Sequence, residues 1–228
     1  MENRVINIAI IAEVAEALKE LKEDMVFVGG AVISLYTDDP AADEVRPTQD
    51  VDMTLNIINF SHWQRVEGRL RELGFQPNPF GHAICSFKYK DILIDIMATE
   101  DGPLGLTNRW YKVGLENIWT VNAKNQKIKI LSAPCYLATK LEAFNDRGND
   151  YRSSHDIEDI IYVIDNRTTI VNEVKESDKR VYSYLKKELL KIVKQGILTE
   201  VLMTHIHPLM IDERMPIIED KIMQILEL

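Results

Sequence analysis

Apolar residues at three- and four-residue spacing over positions 6–22 (Ile8, Ile11, Val14, Ala15, Leu18, Leu21) predict an amphipathic helix. The run Met25-Val26-Phe27-Val28 stops at Gly29-Gly30, which predicts a buried strand feeding a tight turn. Helical spacing returns over 31–36, and the polar stretch 37–48, with Pro40 and Pro47, predicts a loop. Positions 50–58 alternate into an apolar run and predict a strand. Ser61-His62-Trp63-Gln64 has capping-box spacing for a helix reaching Leu73, with Gly74 as its stop. Two strands over 83–90 and 92–98 would pair as an antiparallel hairpin through Lys90-Asp91. A second hairpin would pair 119–122 with 127–131, turning through 123–126. After Pro134 the strand signals end. Helical periodicity then covers 134–146, 154–165, 168–176, 178–195, 197–206 and 212–227.

The pattern predicts an α/β (α+β) core over 1–132 and a helical region over 133–228 packed on it, with no linker composition at the junction. Apolar positions of the last helix (Ile217, Ile218, Ile222, Met223, Ile225, Leu226) suit either a core or a dimer contact. With 228 residues, 46% hydrophobic and 28% charged, the chain can bury a core, so disorder, collagen and a coiled-coil rod are excluded. The longest apolar stretch, 5–18, is broken by Asn7, Glu13 and Glu16. It suits neither a membrane span nor a signal peptide, so the expectation is a cytoplasmic protein with no membrane partner. Cys85 and Cys135 are too few for a disulfide scaffold and read as buried small hydrophobes. A net charge of −9 disfavours a bare nucleic-acid coat. The one dense basic run (Lys179, Arg180, Lys186, Lys187, Lys191, Lys194) is a solvated helix face or an RNA-contacting face.

Asp50-Val51-Asp52 carries the sharpest chemical signal. Side chains at i and i+2 of a strand share a face, about 6–7 Å apart, so two carboxylates there can converge on hard divalent cations. Asp95, within Ile-Leu-Ile-Asp-Ile-Met, shares its face with Leu93 and Met97, opposite Ile92, Ile94 and Ile96. A third carboxylate on an apolar strand calls for a partner, whether a cation or a salt bridge. Gly29-Gly30, between strand and helix, lets a backbone approach a phosphate, although such turns also serve simply to reach positive φ. The turn is neither a GxGxxG fingerprint nor a Walker A loop. The pair His205-x-His207 and the isolated His62 and His82 offer no ligand set, while His155, beside Asp156, reads equally as shaping the site or as serving a helix N-terminus.

Strand, Gly-Gly, helix, loop, Asp-x-Asp strand and a later strand Asp together resemble the nucleotidyltransferase superfamily related to DNA polymerase beta. Val28-Gly29-Gly30-Ala31 followed by Arg46-Pro47-Thr48-Gln49-Asp50-Val51-Asp52 looks like its AbiEii/AbiGii-type branch, which includes toxin nucleotidyltransferases. The likeness continues through Tyr136–Phe144, Arg147-Gly148 and Ser154–Ile160, and covers roughly residues 25–165. It implies a mixed sheet flanked by helices, followed by a C-terminal helical bundle. It implies Asp50, Asp52 and Asp95 as ligands of two Mg²⁺ ions (or Mn²⁺), with Asp95 helping to deprotonate the acceptor. Gly29, Gly30 and Lys140 would bind the nucleotide, and Asp156 would be the distal acid, with Asp159 as its competitor. Two further residues are read as nucleotide-binding beside an equal alternative: Arg46 reaches a phosphate or buttresses the Asp50–Asp52 loop, and Ser34 donates to a phosphate or is an ordinary helix-surface residue. The implied reaction moves a nucleotidyl group from a nucleoside triphosphate to a hydroxyl of RNA or tRNA, a protein or a small molecule, with a cognate antitoxin as a further expected partner. The alternatives are an inactive nucleotide- or RNA-binding relative and a two-metal phosphohydrolase. A Lys140–Asp156 ion pair that only orients two helices is the structural alternative for that motif.

Overall fold

The computed structural model describes residues 2–48, 50–57, 59–81, 85–101, 107–148 and 150–227. The chain divides into two compact units, Met1–Leu35 with Glu44–Ser132, and Tyr36–Asp43 with Ala133–Leu228.

Among the described residues the first unit is built on one seven-stranded mixed sheet. Its strands are β1 (Met25–Val28), β2 (Asp50–Leu55), β3 (Gln76–Pro77), β4 (Ser86–Tyr89), β5 (Ile92–Ala98), β6 (Ile118–Ala123) and β7 (Gln126–Leu131), in the order β3-β4-β5-β2-β1-β7-β6. β2 runs parallel to β5 and β1 parallel to β7, while the remaining neighbours are antiparallel. β1 is buried along its whole length, as expected of a short apolar strand in mid-sheet. On β2 and β5 burial follows parity: Val51, Met53, Ile94 and Ile96 are buried, and Asp50, Asp52 and Asp95 lie on the other, more open face. Phe87, opposite Ile94 on β4, carries the buried face toward Trp63 of α2 (Phe60–Glu72), ring centroids 6.1 Å apart.

Several local expectations are corrected. The first helix, α1, spans Glu2–Ala17 and gives way to a 3₁₀ turn over Lys19–Glu23. The segment after Gly29 is a 3₁₀ helix, Gly30–Leu35. Asn59, rather than Ser61, caps α2, its side chain accepting from the His62 amide at 2.9 Å. The β6–β7 turn is tighter than expected, with only Lys124-Asn125 between the strands. β4 starts at Ser86, and the expected strand residues 83 and 84 lie outside the described residues, as does His82. The periodicity gave no sign of the helix α3 (Trp110–Leu115).

The second unit is helical: α4 (Ala133–Arg147), α5 (His155–Asn166), α6 (Ile170–Glu176), α7 (Lys179–Lys194), α8 (Leu198–His205) and α9 (Ile211–Leu226). α4 packs on α5 and α7, and α9 on α5, α6 and α7. Ile218, Ile222, Ile225 and Leu226 of α9 are buried within this unit, so the apolar face of the last helix closes a core. Residues Tyr36–Asp43 belong here: Tyr36 packs on Tyr136 at 4.5 Å, and Asp39 accepts from the buried Arg214 at 2.9 Å. Arg214 also holds Asp165 at 2.7 Å, and Lys221 donates to the carbonyls of Ile164, Asp165 and Arg167 where α5 ends. Among the described residues no helix is long and apolar enough to cross a membrane.

Candidate active site

The sheet register assembles the carboxylates. Asp52 pairs directly with Asp95 on the neighbouring parallel strand, and Asp50, two residues earlier, shares their face. On its other side Asp52 lies opposite Val28, the last residue of β1. Gly29 follows with φ +72°, and a Cβ built there would stand 1.9 Å from Asp52 Oδ2. Glycine is therefore demanded twice, by the left-handed backbone and by a carboxylate lying against its Cα. The Arg46 guanidinium lies against Gly30, where a Cβ would stand 2.6 Å from it as now placed. The Gly-Gly turn, Arg46 and Asp52 thus form one contiguous patch.

The two outer carboxylates each receive a hydroxyl. Thr48 Oγ1 donates to Asp50 Oδ1 at 2.5 Å, and Ser86 Oγ donates to Asp95 Oδ1 from the paired position on β4. Ser86 escapes sequence reading because only the β4–β5 register reveals its partner. Gly81 makes room for it, as a Cβ on Gly81 would overlap the Ser86 hydroxyl. Cys85, beside Ser86, is buried. Its thiol is pushed up to about 11, first by burial and then by the negative charges of Glu67 and Asp95.

Three carboxylates on one face are the hard-oxygen donor set that Mg²⁺ takes. As the side chains stand, no three His, Cys, Asp or Glu among the described residues gather closely enough to enclose an ion.

In the helical unit, Lys140 is nearly buried and spans two carboxylates, Asp159 at 2.6 Å and Asp156 at 3.3 Å. Its ammonium also lies 5.8 Å from the centre of the Tyr136 ring, whose hydroxyl donates to Asp159 at 3.4 Å. Asp159 is 0% exposed, and Asp156 is buried at the start of α5, held from outside by Arg147 at 2.5 Å. Two cations thus face two anions, as burial requires. Asp156 and Asp159 are not interchangeable: Asp156 has a second, more exposed partner, and Asp159 lies deeper.

Ser34 is 1% exposed in the 3₁₀ helix after the Gly-Gly turn, so it is no helix-surface residue and does not present its hydroxyl to solvent. His205 pairs with the Tyr151 carbonyl, while His207 caps the Leu209 amide, so neither turns toward the other. His155 pairs with Glu158 at 2.9 Å. Half of the basic run on α7 is already matched by anions: Arg180 by Asp178, Lys186 by Glu227 and Lys191 by Glu188. That matching favours the solvated helix face.

The mixed sheet flanked by helices is a nucleotidyltransferase-like fold. The chain is similar to the crystal structure of an antigenic nucleotidyltransferase-like protein from Paracoccidioides brasiliensis, with a TM-score of 0.53 and 20% identity, over 88% of this chain and 93% of that one. No protein-family model matches the sequence, and no curated protein does. At that identity the likeness establishes the fold, and the chemistry is argued from the site.

Proposed function

We propose that this protein is a Mg²⁺-dependent nucleotidyltransferase of the AbiEii/AbiGii type, transferring a nucleotidyl group from a nucleoside triphosphate to an acceptor hydroxyl. The observation that carries the reading is the β2–β5 register, which sets Asp52 beside Asp95, with Asp50 on the same face and the Gly29-Gly30 turn against Asp52. Asp50, Asp52 and Asp95 would hold the metal, with Mn²⁺ able to take its place. Bound there, divalent ions would neutralise phosphate charge and lower the pKa of an attacking hydroxyl.

The chain's own part is positioning and charge complementarity. Arg46, seated on Gly30, supplies a planar cation for phosphate oxygens, and the glycines leave the backbone open to close approach. Asp95 is the acceptor-side base, with Ser86 fixing the rotamer of its carboxylate. Lys140 and Asp156 enter the proposal together with Asp159. The ammonium that the resemblance assigns to the triphosphate is the counter-ion of two buried carboxylates, so any phosphate contact by Lys140 competes with that pairing. The proposed acceptor is RNA or tRNA, a protein or a small molecule, and a toxin role with a cognate antitoxin follows from the same resemblance.

Calorimetry with each of the four triphosphates and Mg²⁺, on wild type and Asp50→Asn/Asp52→Asn, tests the reading. We expect Mg²⁺-dependent binding of at least one triphosphate that is lost in the double variant. Unchanged binding in the variant would move the metal site elsewhere. Labelled triphosphates then separate transfer to RNA from hydrolysis to free nucleotide.

A further inference from the structure

A fully buried asparagine on the first helix grips the segment that carries Arg46 and Thr48. Asn7 is 0% exposed on α1, a helix whose other buried residues, Ile11, Ala12, Val14 and Ala15, are all apolar. Burying a primary amide costs free energy unless its groups are paired, so its retention asks for partners. Both partners are backbone atoms of one tripeptide. Asn7 Nδ2 donates to the Arg46 carbonyl at 3.2 Å, and Asn7 Oδ1 accepts from the Thr48 amide at 3.4 Å. The orientation of the amide is fixed by chemistry, since a carbonyl can only accept and an N–H can only donate. Between the two lies Pro47, which has no N–H and a restricted φ, so the side chain clasps a stiff segment at both ends. One helical turn earlier, Asn3 Nδ2 donates to the Val45 carbonyl at 3.0 Å, extending the same seam.

What the clasped residues do gives the seam its meaning. Arg46 lays its guanidinium on Gly30, and Thr48 gives its hydroxyl to Asp50 at 2.5 Å. Two features of the candidate site, the guanidinium against the Gly-Gly turn and the rotamer of one carboxylate, therefore rest on a residue that touches neither. We propose that Asn7 is a positioning residue of the nucleotidyltransferase site, acting through the backbone of Arg46 and Thr48. This rests on the function proposed above.

The test has two readouts. The first is triphosphate binding, with Mg²⁺, by wild type, Asn7→Ala, Arg46→Ala and the double variant. Loss of two buried hydrogen bonds should weaken binding by about tenfold in Asn7→Ala. The double variant should fall short of the sum of the two single losses, because the part of the Asn7 effect that runs through Arg46 is already gone. Wild-type affinity in Asn7→Ala, or full additivity in the double variant, would overturn the proposal. Where Asn7→Ala is too unstable to measure, Asn7→Leu keeps the branched skeleton without the amide and carries the same expectation.

The second readout needs no nucleotide. Hydrogen exchange at the Thr48 amide should accelerate by about tenfold or more in either variant, with the amides of β1 and β2 unchanged. Uniform acceleration across the unit would reduce Asn7 to a general stabilising residue, and an unchanged Thr48 rate would refute the clasp. Should wild type bind no triphosphate, the functional reading falls by itself, and the exchange measurement still decides whether Asn7 holds the loop.

Discussion

Replacing Lys140 with Met removes one ammonium from between two buried carboxylates while keeping most of the side chain's bulk. The geometry says which partner suffers. Asp156 keeps Arg147 at 2.5 Å, whereas Asp159, 0% exposed, loses its 2.6 Å counter-ion. Removing one member of a buried pair costs about 3–5 kcal/mol because a charge is left without compensation. If the chain melts as one cooperative unit, that corresponds to a drop of roughly 6–20 °C in Tm. Urea unfolding followed by circular dichroism measures it directly. Lys140→Met/Asp159→Asn should recover much of the loss, since no charge is then stranded. The pair of variants also separates the two roles open to Lys140. A stable double variant that has lost triphosphate binding would return the lysine to the phosphate, and one that binds normally would leave it structural. A loss below about 1 kcal/mol in Lys140→Met, the size seen for exposed ion pairs, would refute the reasoning.

Gly29→Ala should cost about 1–2 kcal/mol from the left-handed backbone alone. It should also abolish Mg²⁺-triphosphate binding, because the new Cβ would occupy the place of the Asp52 carboxylate. Chemical denaturation and calorimetry on one sample check both, and normal binding would show that Asp52 does not need its present position. For Cys85 the thiolate is the reactive form, and a thiol at about 11 is ionised only as pH rises toward that value. Alkylation of native protein, followed by peptide mass, should therefore be slow at pH 8 and speed up by about tenfold per pH unit to pH 10. Fast labelling at pH 8 would contradict the burial that raises it.

Much of this arrangement is legible in the sequence where the signal is local. Alternation in Asp50–Leu55 and Ile92–Ala98 tells which face each carboxylate takes, because parity on a strand is fixed by the backbone. The Gly-Gly turn is equally plain after four apolar residues. What escapes is whatever depends on a distant partner. Asn7 looks like an interruption of an apolar helix until residues 46–48 arrive beside it, and Ser86 looks like any strand serine until β4 pairs with β5. α3 fails for another reason: six residues are too few for a period, and it contains Gly114, kept small because Leu131 would stand 2.7 Å from its Cβ. The 3₁₀ form of Gly30–Leu35 and the grouping of Tyr36–Asp43 with the helical unit likewise follow from tertiary contacts rather than spacing.

The opposed faces of β2 and β5 tie the fate of the carboxylates to that of the core. Val51, Met53, Ile94 and Ile96 point one way and Asp50, Asp52 and Asp95 the other, so the two sets cannot be exchanged independently. A single-residue insertion in either strand would send acids inward and aliphatics outward together, destroying stability and site in one event. Only shifts by two residues preserve the core, and those would move a carboxylate along the strand while leaving it on the same face.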